Sequence, residues 1–257
     1  MIRSDQTPLL CQIEDHLATI TLNRPDVHNV VNEALMDAWE SALDQIENTE
    51  SLRAIIITGA GDRTFCAGGD LKYFSGITEP EQTRAMSERM QAILSRLYEG
   101  RLPVIAAING SAYGGGCEIL TACHFRIAPD DVFFQFRQTA MGVVTGWGGG
   151  LRLFRQVNRS HALKLLLTGD RFSAEEARSM GFIDKVAPRS MFEQEAKALA
   201  NRIAERSPQA VTAFLELARL ADSSNDETVK KRETDLFVDC WQGSWFRDAM
   251  DAFLNRK

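Results

Sequence analysis

Residues 103–123 read Pro-Val-Ile-Ala-Ala-Ile-Asn-Gly-Ser-Ala-Tyr-Gly-Gly-Gly-Cys-Glu-Ile-Leu-Thr-Ala-Cys. The apolar run Val104 to Ile108 predicts a strand buried on both faces. Asn109-Gly110 predicts a turn. Gly114, Gly115 and Gly116 then open an apolar stretch that reads as a helix and carries Glu118. Glycines at the mouth of a helix leave backbone N–H groups bare to an approaching oxygen. The helix N-terminus adds partial positive charge at the same place. Glu118, within about the first turn, can face that spot, so a site for developing negative charge would stand beside a proton carrier.

Working outward, a second stretch has the same construction. Ala54-Ile-Ile-Ile-Thr58 predicts another buried strand, and Phe65-Cys-Ala-Gly-Gly-Asp-Leu71 follows it as a glycine turn. Two strands, each ending in such a turn, could aim two N–H groups at one oxygen. These motifs, with Ala107-Ile-Asn-Gly110, Gly114-Gly-Gly-Cys-Glu118 and the Gly-Gly-x-x-Arg-Leu segment at Gly148 to Leu153, resemble the crotonase superfamily, the enoyl-CoA hydratase/isomerase family. The resemblance runs from about Ile13 onward and rests on the motifs jointly, since each alone is weak.

The remaining chain is compatible with one α/β unit. Leu9 to Ile13 and Leu17 to Leu22 predict a hairpin, and Asn32 to Asn48 and Glu79 to Tyr98 predict amphipathic helices. Phe125 to Ala128 and Val132 to Phe136 predict short strands. Gly142 to Gly150 is a second glycine-dense loop. Short helices are expected over 151–157, 160–167 and 173–180, the last opened by the capping box Ser173-Ala-Glu-Glu176. From Ser190 the chain reads as helix, interrupted at Ser207-Pro208 and around 223–225. The resemblance implies a spiral of ββα repeats over 1–189 and a helical trimerisation region over 190–257. Phe214, Leu215, Leu217, Leu220, Leu236 and Phe237 are the expected contacts of a homotrimer or a dimer of trimers.

Composition narrows the function. The chain has 257 residues, a net charge of −6 and 44% hydrophobic residues, which suits a large core and argues against nucleic-acid binding. Cys11, Cys66, Cys117, Cys123 and Cys240 form no Cys-x-x-Cys pair and no metal spacing with histidine. Free thiols in a reducing cytoplasm are expected, with no metal. The start is unlike a signal peptide, and no apolar run has membrane-spanning length.

The resemblance implies an acyl-CoA enzyme that stabilises a thioester enolate, with coenzyme A arriving as part of the substrate and no separate cofactor. It places the oxyanion hole at the N–H groups of Ala67 and Gly115, and acid/base work at Glu118. CoA contacts are expected from Arg24, Ala67, Gly69, Asp70, Leu71, Phe253 and Lys257. Gly114, Gly146 and Trp147 are expected at the acyl pocket, where Trp147 either packs behind its loop or forms a wall that shortens the pocket.

Two positions depart from the hydratase pattern. Hydratases carry a second glutamate twenty residues after the first, and that position here is Gln138. An amide forms hydrogen bonds but does not trade protons. Met141-Gly-Val-Val-Thr-Gly-Trp-Gly-Gly149 resembles the decarboxylase branch, where Trp-Gly-Gly follows Met-Gly-Ile-Val. Together these favour decarboxylation of a short 2-carboxyacyl-CoA, with hydration by Glu118 alone as the alternative. A serine hydrolase using Ser111 and His124, or a non-catalytic binding protein, would be the reading from another class.

Overall fold

The computed structural model describes residues 7–223 and 225–255. The chain opens with an antiparallel hairpin, β1 (Leu9–Glu14) and β2 (Leu17–Leu22), in register from Leu9 opposite Leu22 to Glu14 opposite Leu17. Along β2, Ala18, Ile20 and Leu22 are buried and the residues between them are half-buried, the period expected of a sheet with one core face. Helix α1 (Glu33–Glu47) follows. Asn32 caps it by accepting from the Leu35 N–H, and Leu35, Met36, Trp39, Leu43 and Ile46 form its buried stripe.

Three successive strand pairs then wind the chain. They are β3 (Ala54–Gly59) with β4 (Thr64–Cys66), β5 (Val104–Ala107) with β6 (Ser111–Tyr113), and β7 (Phe125–Pro129) with β8 (Phe133–Gln135). Short α2 (Leu71–Phe74) and long α3 (Pro80–Tyr98) separate the first pair from the second, and α4 (Gly115–Thr121) separates the second from the third. After β8 come α5 (Gly149–Gln156), α6 (Arg159–Thr168), β9 (Phe172–Ser173), α7 (Ala174–Ser179) and β10 (Lys185–Ala187).

The first strand of each pair joins one sheet and the second joins another. One sheet has the order β1-β2-β3-β5-β7-β10 and the other β4-β6-β8-β9. Pairing from β2 through β10 in the first sheet is parallel, as is β4-β6-β8 in the second. This is the ββα spiral, and β3, apolar from Ala54 to Ile57, and the all-apolar β5 are its buried centre.

Asparagines stitch neighbouring corners of the spiral together. Between β5 and β6, Asn109 accepts from the Gly59 N–H at 2.9 Å and donates to the Gly61 carbonyl at 2.8 Å. Asn29 donates to the carbonyls of Ala60 and Thr64 at 3.0 and 2.8 Å. Both asparagines are buried, so these bonds also satisfy polar groups that water does not reach.

The expected division at 189/190 is corrected by α8 (Phe192–Ala204). Its Phe192, Ala196 and Ala200 share one face and pack on Ala54, Ile56, Ile105 and Ile127 of the six-stranded sheet. This helix therefore belongs to the spiral core. The appended part begins at α9 (Pro208–Ser223) and continues through α10 (Asp226–Gln242) and α11 (Ser244–Leu254). Beyond residue 200, no described side chain is buried. Phe214, Phe237, Trp241 and Trp245 are exposed.

Three of the five thiols, Cys66, Cys117 and Cys123, are fully buried, whereas Cys11 and Cys240 are partly accessible. None of them is paired in a disulfide.

Candidate active site

Two backbones meet where the turn after β4 touches the mouth of α4. Gly68 has φ +88°, and a Cβ there would lie 2.9 Å from the Gly115 nitrogen and 3.2 Å from the Tyr113 carbonyl oxygen. A Cβ on Gly116 would run into the Cys66 carbonyl. Glycine is required at both places by close approach, which answers why the two motifs are glycine-rich.

This approach brings two N–H groups together, though not the pair expected. The Ala67 N–H donates to the His28 carbonyl at 3.0 Å, so it has no freedom to receive a substrate oxygen. That corrects the assignment of Ala67 to the hole. Gly69, two residues on, is flanked by bonds from the Val31 N–H to the Gly68 carbonyl and from the Asp70 N–H to the Val31 carbonyl. Its own N–H has no acceptor among the described residues, and neither has that of Gly115. Gly69 and Gly115 are thus the available donors.

Glu118 lies on α4, one turn from Gly115, and is only 3% exposed. Its Oε1 accepts from the Gln138 amide at 3.0 Å, and its Oε2 accepts from the N–H groups of Trp147 and Gly149 at 2.8 and 3.0 Å. Burial pushes its pKa above the ordinary carboxylate value, while the Gly149, Trp147 and Gln138 donors and the charge of Arg152 pull it down. Desolvating a carboxylate costs several kcal/mol, and each hydrogen bond to a charged group returns about 1.5–3 kcal/mol. The two sides are comparable, so the group stays able to ionise with a raised pKa.

Gln138 follows β8 and is also buried. Its Nε2 is bonded to Glu118, but its Oε1 is buried with no hydrogen-bond partner. An orphaned buried acceptor beside a buried carboxylate marks a place for a donor from outside the chain. As expected from the sequence, position 138 offers an amide oxygen that accepts hydrogen bonds, not a proton carrier.

Trp147 is buried, and its ring occupies the space that a Gly115 Cβ would enter. The side chain thus backs the Gly115 backbone. Gly146 is held from α3, where Ser87 Oγ and Gln91 Nε2 both donate to its carbonyl. Gly114 has φ +51° and precedes α4.

Of the expected CoA contacts, Arg24, Ala67, Gly69, Asp70 and Leu71 are gathered around the turn after β4. The Arg24 guanidinium donates to the Val30 carbonyl at 2.6 Å and to Asp70 Oδ2 at 3.1 Å. Asp70 also caps α2, and Leu71 projects into solvent. Phe253 falls in α11, but its side chain lies outside the description, and Lys257 lies outside the described residues.

The hydrolase alternative has no geometry to support it. Ser111 Oγ accepts from the Phe133 N–H at 3.1 Å. His124 Nδ1 accepts from the Val104 N–H at 3.0 Å while its ring stacks on Tyr98. Burial pushes the His124 pKa down to about 4. Each side chain is committed to a different part of the core. Among the described residues, no cluster of three metal-binding side chains occurs and no helix is long and apolar enough to cross a membrane.

Two site residues had no role in the sequence reading. The Gly149 N–H holds Glu118, and Arg152 lies buried behind it. The signal was present in Gly-Gly-x-x-Arg-Leu, but spacing alone does not say which group an arginine serves.

Residues 12–257 match the model of the enoyl-CoA hydratase/isomerase family. The chain is 32% identical over 254 residues to a short-chain-enoyl-CoA hydratase of Clostridium acetobutylicum, covering 97% of this chain and 95% of that protein. It is 30% identical over 251 residues to the crotonyl-CoA hydratase of Syntrophomonas wolfei, with the same coverage of 97% and 95%. A solved enoyl-CoA hydratase from Bacillus anthracis superposes with a TM-score of 0.92 at 31% identity, over 97% of each chain.

Proposed function

The chain belongs to the enoyl-CoA hydratase/isomerase family, and from that premise we propose that it hydrates a short 2-enoyl-CoA with Glu118 as its single acid/base. One observation carries the reading: Glu118 and Gln138 meet at 3.0 Å, with the Gln138 Oε1 buried and unpartnered. A water donating one hydrogen to that Oε1 and the other to the free lone pair of Glu118 Oε1 would present its own lone pair to a bound alkene.

The steps balance with these groups alone. The thioester carbonyl accepts from the N–H groups of Gly69 and Gly115. Water oxygen bonds to the β-carbon as its proton passes to Glu118, and the alkene electrons move to the thioester oxygen as an enolate. The enolate then takes the proton from Glu118 at the α-carbon. The carboxylate is restored, and the elements of water have been added across the double bond. Gln138 orients and never carries the proton.

The preference for decarboxylation read from the sequence gains nothing from the relatives, whose names are those of hydratases. It stays as a second reading for one reason. A substrate carboxylate would meet one negative charge at this site rather than two, because residue 138 is a neutral amide. Separate incubation with crotonyl-CoA and with methylmalonyl- or ethylmalonyl-CoA, followed by mass, tests both. A gain of water on crotonyl-CoA is the expected result. Loss of carbon dioxide without hydration would replace this reading by the second.

The assembly is part of the proposal. A three-helix arm with no buried described side chain and several exposed aromatics does not hold itself in place in water. Its apolar faces are read as contacts in a homotrimer or a dimer of trimers, with the protein in a reducing cytoplasm. Sedimentation at micromolar concentration should give three or six chains, and a monomer would overturn the assignment.

A further inference from the structure

Arg152 is only 6% exposed, yet no carboxylate lies within ion-pair distance of it among the described residues. A buried cation without a paired anion is expensive, so its other contacts matter. Its Nε donates to Thr121 Oγ1 at 3.1 Å, and Thr121 Oγ1 in turn donates to the Glu118 carbonyl at 2.6 Å. Its Nη2 donates to the Trp147 carbonyl at 2.7 Å, with a longer contact of 3.5 Å to the Glu118 carbonyl. The side chain therefore spans the gap between α4, which carries the carboxylate, and the 145–149 loop, which supplies two N–H groups to it. Gly148, at φ +78°, leaves the room that the guanidinium fills, since a Cβ there would lie 2.8 Å from Nη1.

We propose that Arg152 is a positioning residue for Glu118: it clamps the Trp147–Gly149 backbone against α4, keeping both N–H groups on Glu118 Oε2, and sets a fixed positive charge behind the carboxylate. The inference rests on the role of Glu118 given above. The groups that face Glu118 are Gln138 after β8, the N–H groups of Trp147 and Gly149 before α5, Arg152 on α5 and the Cys117 thiol on α4. Arg152 is the one cation among them. Burial lowers its own pKa from the usual guanidinium value while Glu118 holds it up, which is the reciprocal side of the same attraction.

Three variants separate clamp from charge. R152M removes both. Hydration kcat should fall at least tenfold with KM little changed, and the acid limb of kcat/KM should move up in pH because the ionised carboxylate has lost its cation. R152K keeps the charge without the fork, so kcat should fall while the limb stays in place. T121V keeps Arg152 and removes one anchor, and a smaller loss of kcat is expected. A folded R152M with an unmoved limb would reduce Arg152 to a packing residue and overturn the proposal. Wild-type kcat in R152K would do the same, and this variant decides the matter if R152M does not fold. Infrared titration of the Glu118 carboxyl band, assigned by its loss in E118Q, reads the displacement without turnover. If crotonyl-CoA is not hydrated by the native protein, the function proposed above fails. The infrared shift expected in R152M, with none expected in R152K, still tests Arg152.

Discussion

E118Q is expected to lower hydration of crotonyl-CoA by about 10⁴-fold, the upper end of what one acid/base group contributes. The upper end applies because, among the described residues, no second carboxylate shares a hydrogen bond with Glu118 or Gln138. In the proposed mechanism Glu118 both takes the proton from water and returns it to carbon, and Gln138 does neither. The substitution is mild for the structure. A glutamine at 118 can turn its carbonyl to the Trp147 and Gly149 N–H groups and its amide to Gln138, which can flip to accept with Oε1. KM should therefore change little. The native enzyme should show the matching pH dependence. Glu118 works as a base only when ionised, and burial raises its pKa. Activity should rise with pH through that raised value, placing the acid limb above the ordinary carboxylate range. A limb at the ordinary value, or E118Q with more than a tenth of native turnover, would remove Glu118 from the proton path.

Gly115→Pro should cost about 10²–10³ in kcat relative to Gly115→Ala. The comparison must be between these two variants. Any Cβ at 115 enters the space of the Trp147 ring, so both carry the same collision. Only proline also deletes the N–H, and at the first residue of a helix it is otherwise tolerated. If Gly115 is a donor of the proposed hole, the difference between them isolates it, at about 2.7–4 kcal/mol at the transition state. Equal turnover in the two folded variants would mean that Gly115 does not hold the developing oxyanion.

The sequence reading and the structure part company at identifiable places. The apolar runs of β3 and β5 and the periodic stripe of α1 are long enough to state their own structure, and they position both glycine turns. Strands β4, β6, β9 and β10 have two or three residues each, too few for any periodicity, and their form comes from pairing with distant chain. The choice between Ala67 and Gly69 was not visible for a related reason. Which N–H of a glycine turn is free depends on where the His28 carbonyl falls, and His28 adopts a left-handed conformation of φ 58° to reach it. Helix α8 reads from sequence as part of the arm because its buried face consists mainly of alanine among glutamates, which resembles a solvent-facing helix more than a core one. The twenty-residue spacing ends in a contact, Gln138 Nε2 to Glu118 Oε1 at 3.0 Å, because β8 pairs with β6, the strand that leads into α4.

The buried thiols give this site a clock of its own. Cys66 precedes the Gly69 turn, Cys117 adjoins Glu118, and Cys123 lies just beyond α4. Burial pushes Cys66 and Cys123 up to about 12 and Cys117 up as well, so reactive thiolate is scarce while the walls are closed. An alkylating reagent can reach them only during transient opening, and the labelling rate then measures how often that opening occurs. Cys66 and Cys117 report on the two backbones that carry the Gly69 and Gly115 N–H groups, whereas half-accessible Cys11 supplies an internal reference on the hairpin. A thioester oxygen held jointly by Gly69 and Gly115 would pin those backbones together, so occupancy of the site becomes readable as protection of two sulfur atoms that never touch the substrate.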